Sequence, residues 1–158
     1  HPEQPRRVKE IWSQLEASGL VDACQQLPSR SATEKELCRC HTPEWVEKVI
    51  NYKPQERRKP KAYTFPFGLD TYVNEHTANA ALLAAGCPLG LVDMAMDPRS
   101  PLECGMAIVR PPGHHATADK ALGFCLFNNV AVAARHFQEK NGGGRVAILD
   151  WGVHHGNG

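Results

Sequence analysis

The sequence predicts an α/β fold built on a parallel sheet. Helical segments alternate with two short, wholly apolar stretches, 106–109 (Met-Ala-Ile-Val) and 146–149 (Val-Ala-Ile-Leu). Apolar runs of this length, bounded by turn residues, read as strands buried on both faces, the habit of parallel sheets. Each stretch also runs straight into a histidine-rich loop: Arg110-Pro-Pro-Gly-His-His115 after the first, Asp150-Trp-Gly-Val-His-His-Gly-Asn-Gly158 after the second. In sheets of this kind, chemistry collects on loops at the carboxyl ends of the strands.

The elements follow in order. Residues 6–18 predict an amphipathic helix, with Val8, Ile11, Trp12 and Leu15 on one face and Gly19 as its stop. Thr33-Glu-Lys-Glu36 is a capping box that opens a short helix through Leu37. Thr42 reads as the next N-cap with Pro43 at the first helical position, and Trp45, Val46, Val49 and Ile50 form that helix's apolar face. Residues 53–61 hold Pro54, Pro60 and five basic side chains, which reads as a solvated loop, with a docking surface for an acidic partner as the alternative. Residues 77–85 are rich in Ala and Leu and predict a helix that Pro88 should kink or end, resuming over 91–96. After the first strand, 126–139 predict a helix, and Gly142-Gly-Gly144 turns the chain into the second strand.

Composition bounds the function. The 158 residues suffice for a domain with a real core, and 42% hydrophobic with 22% charged residues is ordinary for a soluble protein. A net charge of +1 gives no argument for nucleic acid. No uninterrupted apolar run reaches the roughly 18 residues that span a bilayer, so no membrane association is expected. The start, His1-Pro-Glu-Gln-Pro-Arg-Arg7, is no signal peptide, and without a Met at position 1 we expect residues before it. Six irregularly spaced cysteines read as reduced thiols. Cys38-Arg-Cys40-His41 has no second cluster to complete a zinc site and reads as a helix end.

His114 and His115 follow a strand and a rigid turn. Two adjacent imidazoles there suit a neutral base beside a charged partner, since imidazole titrates near working pH. Asp150 can orient an imidazole or hold a cation, and His154 can ligate a metal. Ordinary hydrogen-bonded loop histidines are the bland alternative for each motif taken alone.

Together, Arg110-Pro-Pro-Gly-His-His-Ala116, Gly123-Phe-Cys-Leu-Phe-Asn-Asn129 and Leu149-Asp-Trp-Gly-Val-His-His-Gly-Asn-Gly158 resemble the successive motifs of the zinc-dependent histone deacetylases. His1-Pro-Glu3 with Arg7, and His41-Thr-Pro-Glu-Trp-Val46, resemble that family's earlier segments. Phe127-Asn-Asn129 and Asn157 resemble class II, and within it the class IIb, histone deacetylase 6-like domains. The resemblance covers essentially all 158 residues. It implies a three-layer arginase/deacetylase-like fold with a central parallel sheet, of which this chain is roughly the N-terminal half.

By the same resemblance, His115 is the general base that activates zinc-bound water and later protonates the leaving amine. His114 is its electrostatic partner, Asp150 orients His114, and Asn157 sits behind His115. Phe124 walls a tube for an acetyl-lysine stem, Gly123 keeps that wall close, and Asp70 meets the substrate backbone at the rim. His154 is a zinc ligand. A potassium ion is implied at Asp150 and the backbone carbonyls of Gly152 and His154. The family pattern is Asp-x-Asp-x-His-His, and here the second Asp, a zinc ligand, is Gly152. The third zinc ligand and a carbonyl-polarising Tyr are expected beyond Gly158.

Three functions follow from this reading. The first is a lysine deacetylase acting on histones or other acetylated proteins, with corepressor or cytoskeletal partners, in nucleus or cytoplasm. The second, prompted by Gly152, is a catalytically impaired scaffold or acetyl-lysine reader. The third is an acetylpolyamine amidohydrolase on the same fold.

Overall fold

The computed structural model describes residues 1–53, 66–68 and 70–158. Most of the basic stretch at 53–61 therefore lies outside the described residues. Five helices are present among them: α1 (Arg6–Ala17), α2 (Glu34–Leu37), α3 (Pro43–Ile50), α4 (Thr77–Met96) and α5 (Asn129–Lys140).

The predicted helix boundaries hold where a side chain caps them. The Thr33 hydroxyl accepts from the Glu36 N–H at 3.3 Å while the Glu36 carboxylate accepts from the Thr33 N–H at 2.8 Å, closing the capping box. Thr42 accepts from the Trp45 N–H at 3.2 Å, with Pro43 following as expected. The C-terminus of α1 closes through bonds from Gly19 N–H to Glu16 C=O and from Leu20 N–H to Leu15 C=O. Gly19 takes φ +72° there, the left-handed step that such a cap needs. Cys38 is the C-cap of α2, in keeping with the helix-end reading of the Cys38–His41 cluster.

Three expectations are corrected. The helix predicted from residue 126 begins at Asn129, because Asn128 leaves helical geometry and its side chain accepts from the Ala131 N–H at 3.2 Å. Pro88 does not end α4, which runs unbroken for 20 residues. A mid-helix proline costs about 3 kcal/mol, and here the burial of Ala81, Ala84, Ala85 and Leu89 offsets it. By length and composition α4 is also apolar enough to cross a membrane, although Asn79 and Asp93 interrupt its apolar run. In this fold it is the central helix, packed along α5.

The third correction concerns the strands. Residues 106–109 and 146–149 form no ladder among the described residues, where an isolated antiparallel bridge joins Leu122 and Cys125. A parallel strand is stable only between neighbours that take up its backbone groups and cover its side chains. Neither segment has such neighbours here, and Met106 and Leu149 remain 71% and 80% exposed.

The core lies between α3, α4 and α5. Leu37, Val46, Val49, Leu89, Leu126, Phe127 and Val132 are buried in it. Trp45 packs edge-on to Phe67 with centroids 5.4 Å apart, and its indole N–H donates to the Leu126 carbonyl at 3.0 Å. At the outer edge, His136 bridges α4 and α5, bonded to Asp93 at 2.5 Å and to Arg39 at 2.9 Å. Arg30 pairs there with Glu36 at 2.9 Å. Burial opposes ionisation of Glu36, but hydrogen bonds from Arg30 and Thr33 outweigh it and hold the carboxyl down at about 2.

Candidate functional site

The site is built from two loops and one tight turn. The first loop, 110–118, is held onto the helical core by His41. The buried His41 ring accepts from the Asn128 N–H at its Nε2 (2.9 Å), so its Nδ1–H donates to the Thr117 carbonyl (2.9 Å). Burial pushes His41 below the ordinary imidazole range, keeping it neutral as those two bonds require. The Thr42 N–H adds a bond to the Ala118 carbonyl at 2.9 Å. The Asn129 side chain donates to the Pro111 carbonyl at 3.2 Å. This loop carries His114 and His115.

The tight turn runs from Leu122 to Cys125, whose N–H and C=O groups exchange bonds of 3.2 and 2.9 Å. Both residues between them are left-handed, Gly123 at φ +52° and Phe124 at φ +69°. A left-handed aromatic residue is uncommon and costs on the order of 1 kcal/mol. Its effect here is to project Phe124 into the cleft that His115 lines. A Cβ at Gly123 would stand 2.4 Å from His115 Cδ2, so the turn also presses against the imidazole. Cys125 behind it is buried, its thiol pushed up to about 11 by desolvation, and stays neutral.

The second loop, 150–158, supplies partners for both imidazoles. Asp150 Oδ2 lies 2.5 Å from His114 Nδ1, and Asn157 Oδ1 lies 2.5 Å from His115 Nδ1. Each acceptor draws the ring proton to Nδ1. On His115 this leaves the Nε2 lone pair free to take a proton. The two rings are 4.1 Å apart between centroids. The hydrogen bond from His114, joined by the Gly152 N–H at 3.0 Å, holds the Asp150 carboxyl below its usual range. The Gly158 N–H donates to the His114 carbonyl at 3.0 Å and closes the second loop onto the first.

Asp70, His114, His115, Gly123, Phe124 and His154 all line one open cleft of about 760 Å³. Asp150 and Asn157 stand behind the imidazoles rather than in it. The sequence reading missed His41, Glu3 and Tyr72 as parts of this assembly. No local spacing announces them, since their partners across the assembly lie at least 38 residues away.

Zinc does not fit the donors that the structure brings together. His154 stands 6.2 Å from His115 between ring centroids, Gly152 offers no side chain, and no group of three His, Cys, Asp or Glu among the described residues converges on a point. A zinc site needs at least three such ligands. The turn at 150–154 does offer hard oxygen donors, Asp150 and the carbonyls of Gly152 and His154, a chemistry that suits a hard cation such as potassium.

A family model described as "Histone deacetylase domain" matches residues 1–158. The chain is 42% identical over 163 residues to Histone deacetylase 5 of Arabidopsis thaliana, covering 100% of this chain and 24% of that protein. It is 40% identical over 156 residues to Polyamine deacetylase HDAC10 of Homo sapiens, covering 99% of this chain and 23% of that protein. The crystal structure of the HDA15 HD domain superposes with a TM-score of 0.86 at 42% identity, over 100% of this chain and 42% of that one. The chain thus spans about a quarter of the length of the curated relatives it matches.

Proposed function

The chain belongs to the histone deacetylase domain family, and from that premise we propose that its cleft serves the hydrolysis of an acetylated amine to the free amine and acetate. The observation that carries the proposal is the pair of oriented imidazoles, His114 on Asp150 and His115 on Asn157, each at 2.5 Å, beside the left-handed Phe124.

The roles follow from the bonds. His115 takes the proton of an attacking water at Nε2, its Nδ1–H anchored on Asn157, and returns that proton to the departing amine. His114, paired with the Asp150 carboxylate, stabilises the charge that develops next to it. The aromatic face of Phe124 suits the aliphatic stem of an acetylated lysine. Asp70 accepts a backbone hydrogen bond at the rim. Asp150 and the carbonyls of Gly152 and His154 would hold a structural potassium ion.

Members of the family are generally zinc-dependent. Replacement of a ligand Asp by Gly152 supports a second reading, a metal-poor scaffold or acetyl-lysine reader. The names of the HDAC10 relatives support a third, an acetylpolyamine as the substrate. The class IIb, histone deacetylase 6-like likeness rests on Phe127-Asn-Asn129 and Asn157.

One experiment separates the three. Full-length protein carrying Gly152 or Gly152→Asp is assayed for bound zinc and for acetate release from an acetyl-lysine peptide and from an N-acetylpolyamine. A Cβ at position 152 meets only Asp150 Oδ1, at 3.1 Å, so the substitution is accommodated by a small shift. Turnover by the Gly152 protein, lost in His115→Ala by about 10²–10⁴-fold, supports the enzyme. Zinc and turnover appearing only with Asp support the scaffold. Preference for the polyamine supports the third reading.

A further inference from the structure

Glu3 precedes α1, in a segment without regular structure, yet it is buried. Its carboxylate accepts from the Arg110 guanidinium at two points, Nε at 2.9 Å and Nη2 at 2.5 Å. Arg110 Nη2 also donates to the Tyr72 hydroxyl at 3.0 Å, and that hydroxyl donates to the Glu3 carbonyl at 2.9 Å. The Glu3 N–H donates to His1 Nδ1 at 3.1 Å. A buried carboxylate is tolerated because the planar guanidinium meets it as a fork. This closed set of bonds ties three segments that are remote in sequence.

The clamp acts on the cleft. The His1 ring stands edge-on to Phe124, with centroids 4.8 Å apart, and to Tyr72 at 4.5 Å. Pro2 and Glu3 line the same cleft as His115 and Phe124. Arg110 lies four residues before His114 on one loop, so the clamp joins that wall to the loop carrying the base.

We propose that Glu3 is a positioning residue of this site: locked onto Arg110 and Tyr72, it holds residues 1–3 against Phe124 as a wall of the cleft and thereby sets how the substrate stem is seated. The inference rests on the amide-hydrolysis reading above. It assigns Glu3 no contact with the reacting atoms.

The test uses full-length wild-type protein, Glu3→Gln and the charge-conserving Glu3→Asp. Amide hydrogen exchange is followed at residues 3–7 and in α5, and kcat and KM are measured on an acetyl-lysine peptide. In Glu3→Gln, exchange at 3–7 should rise at least about tenfold with α5 unchanged. KM should rise about tenfold while kcat holds within about threefold, with Glu3→Asp between the two. If α5 also loosens in Glu3→Gln, Glu3→Asp carries the comparison. Unchanged exchange at 3–7 overturns the clamp. Faster exchange with unchanged KM overturns its role toward substrate. A wild-type protein that hydrolyses no acetylated amine overturns the functional reading instead. Exchange at 3–7 then decides the clamp alone, faster exchange keeping it and unchanged exchange removing it.

Discussion

Replacing Gly123 by alanine separates a steric account of this cleft from a loosely packed one. The new Cβ would stand 2.4 Å from Cδ2 and 2.9 Å from Cγ of His115. Carbon atoms at rest keep about 3.5–4.0 Å, so the ring must retreat by about 1 Å. It cannot do so freely, because its Nδ1 is bonded to Asn157 at 2.5 Å. A misplacement of about 1 Å at a base costs on the order of 10²-fold in rate, or about 2.7 kcal/mol of barrier. Alanine at φ +52° adds a stability cost of about 1 kcal/mol. The assay is kcat/KM for acetate release from an acetylated amine, with the urea midpoint measured on the same samples. The expected result is a loss of about 10²-fold in kcat/KM with a small shift in midpoint. Activity within about threefold of wild type would show that the imidazole is not pressed into place by the turn.

Other consequences follow from the same contacts. His41→Ala leaves the Asn128 N–H and the Thr117 carbonyl without their partner in a buried setting and should cost about 2–4 kcal/mol by denaturant unfolding. Because burial lowers the folded pKa of His41 below its unfolded value, its contribution is fully present above about pH 6.5 and is lost as pH falls through the lower folded value. The stability profile of His41→Ala should therefore be flatter over that acid limb, and an unchanged profile would contradict the assignment. Glu36, held at about 2, contributes stability above its ordinary value of 4.5 that fades as pH falls toward 2. Glu36→Gln should remove that acid step from pH-dependent unfolding. Residues 1–158 expressed alone should self-associate through the exposed Met106, Leu149, Trp151 and Val153, detectable by light scattering. A monomer that melts cooperatively would show those side chains to be harmless.

Local signals were legible wherever a residue acts on its near neighbours. Thr33, Thr42 and Gly19 mark helix ends because caps and left-handed stops are satisfied within a few residues. The loops bearing His114, His115 and Asp150 were legible as candidate sites because histidines and a carboxylate follow apolar runs there, while Asn157 entered only through the resemblance. Asn128 was not legible as a cap because apolar residues lie on both sides of it and continue the helical pattern through it. Pro88 misled in the opposite sense. Its local cost argued for a helix end, and burial of the alanines around it decided otherwise.

The sequence by itself determined the family, because motif order survives without coordinates, and it singled out candidate residues by side-chain type. The tertiary structure decided how those residues are aimed. It sets Asp150 on His114 and Asn157 on His115, pairings the resemblance had implied, at 2.5 Å each, and only there do the Gly123 turn press on His115 and the Glu3–Arg110 pair close across 107 residues. Among the described residues 106–109 and 146–149 form no ladder, since a strand is a property of its neighbours. Hydrogen bonds between remote segments form only once packing has met the entropy of closing the chain between them, and no local pattern records which of the possible partners that closure selects.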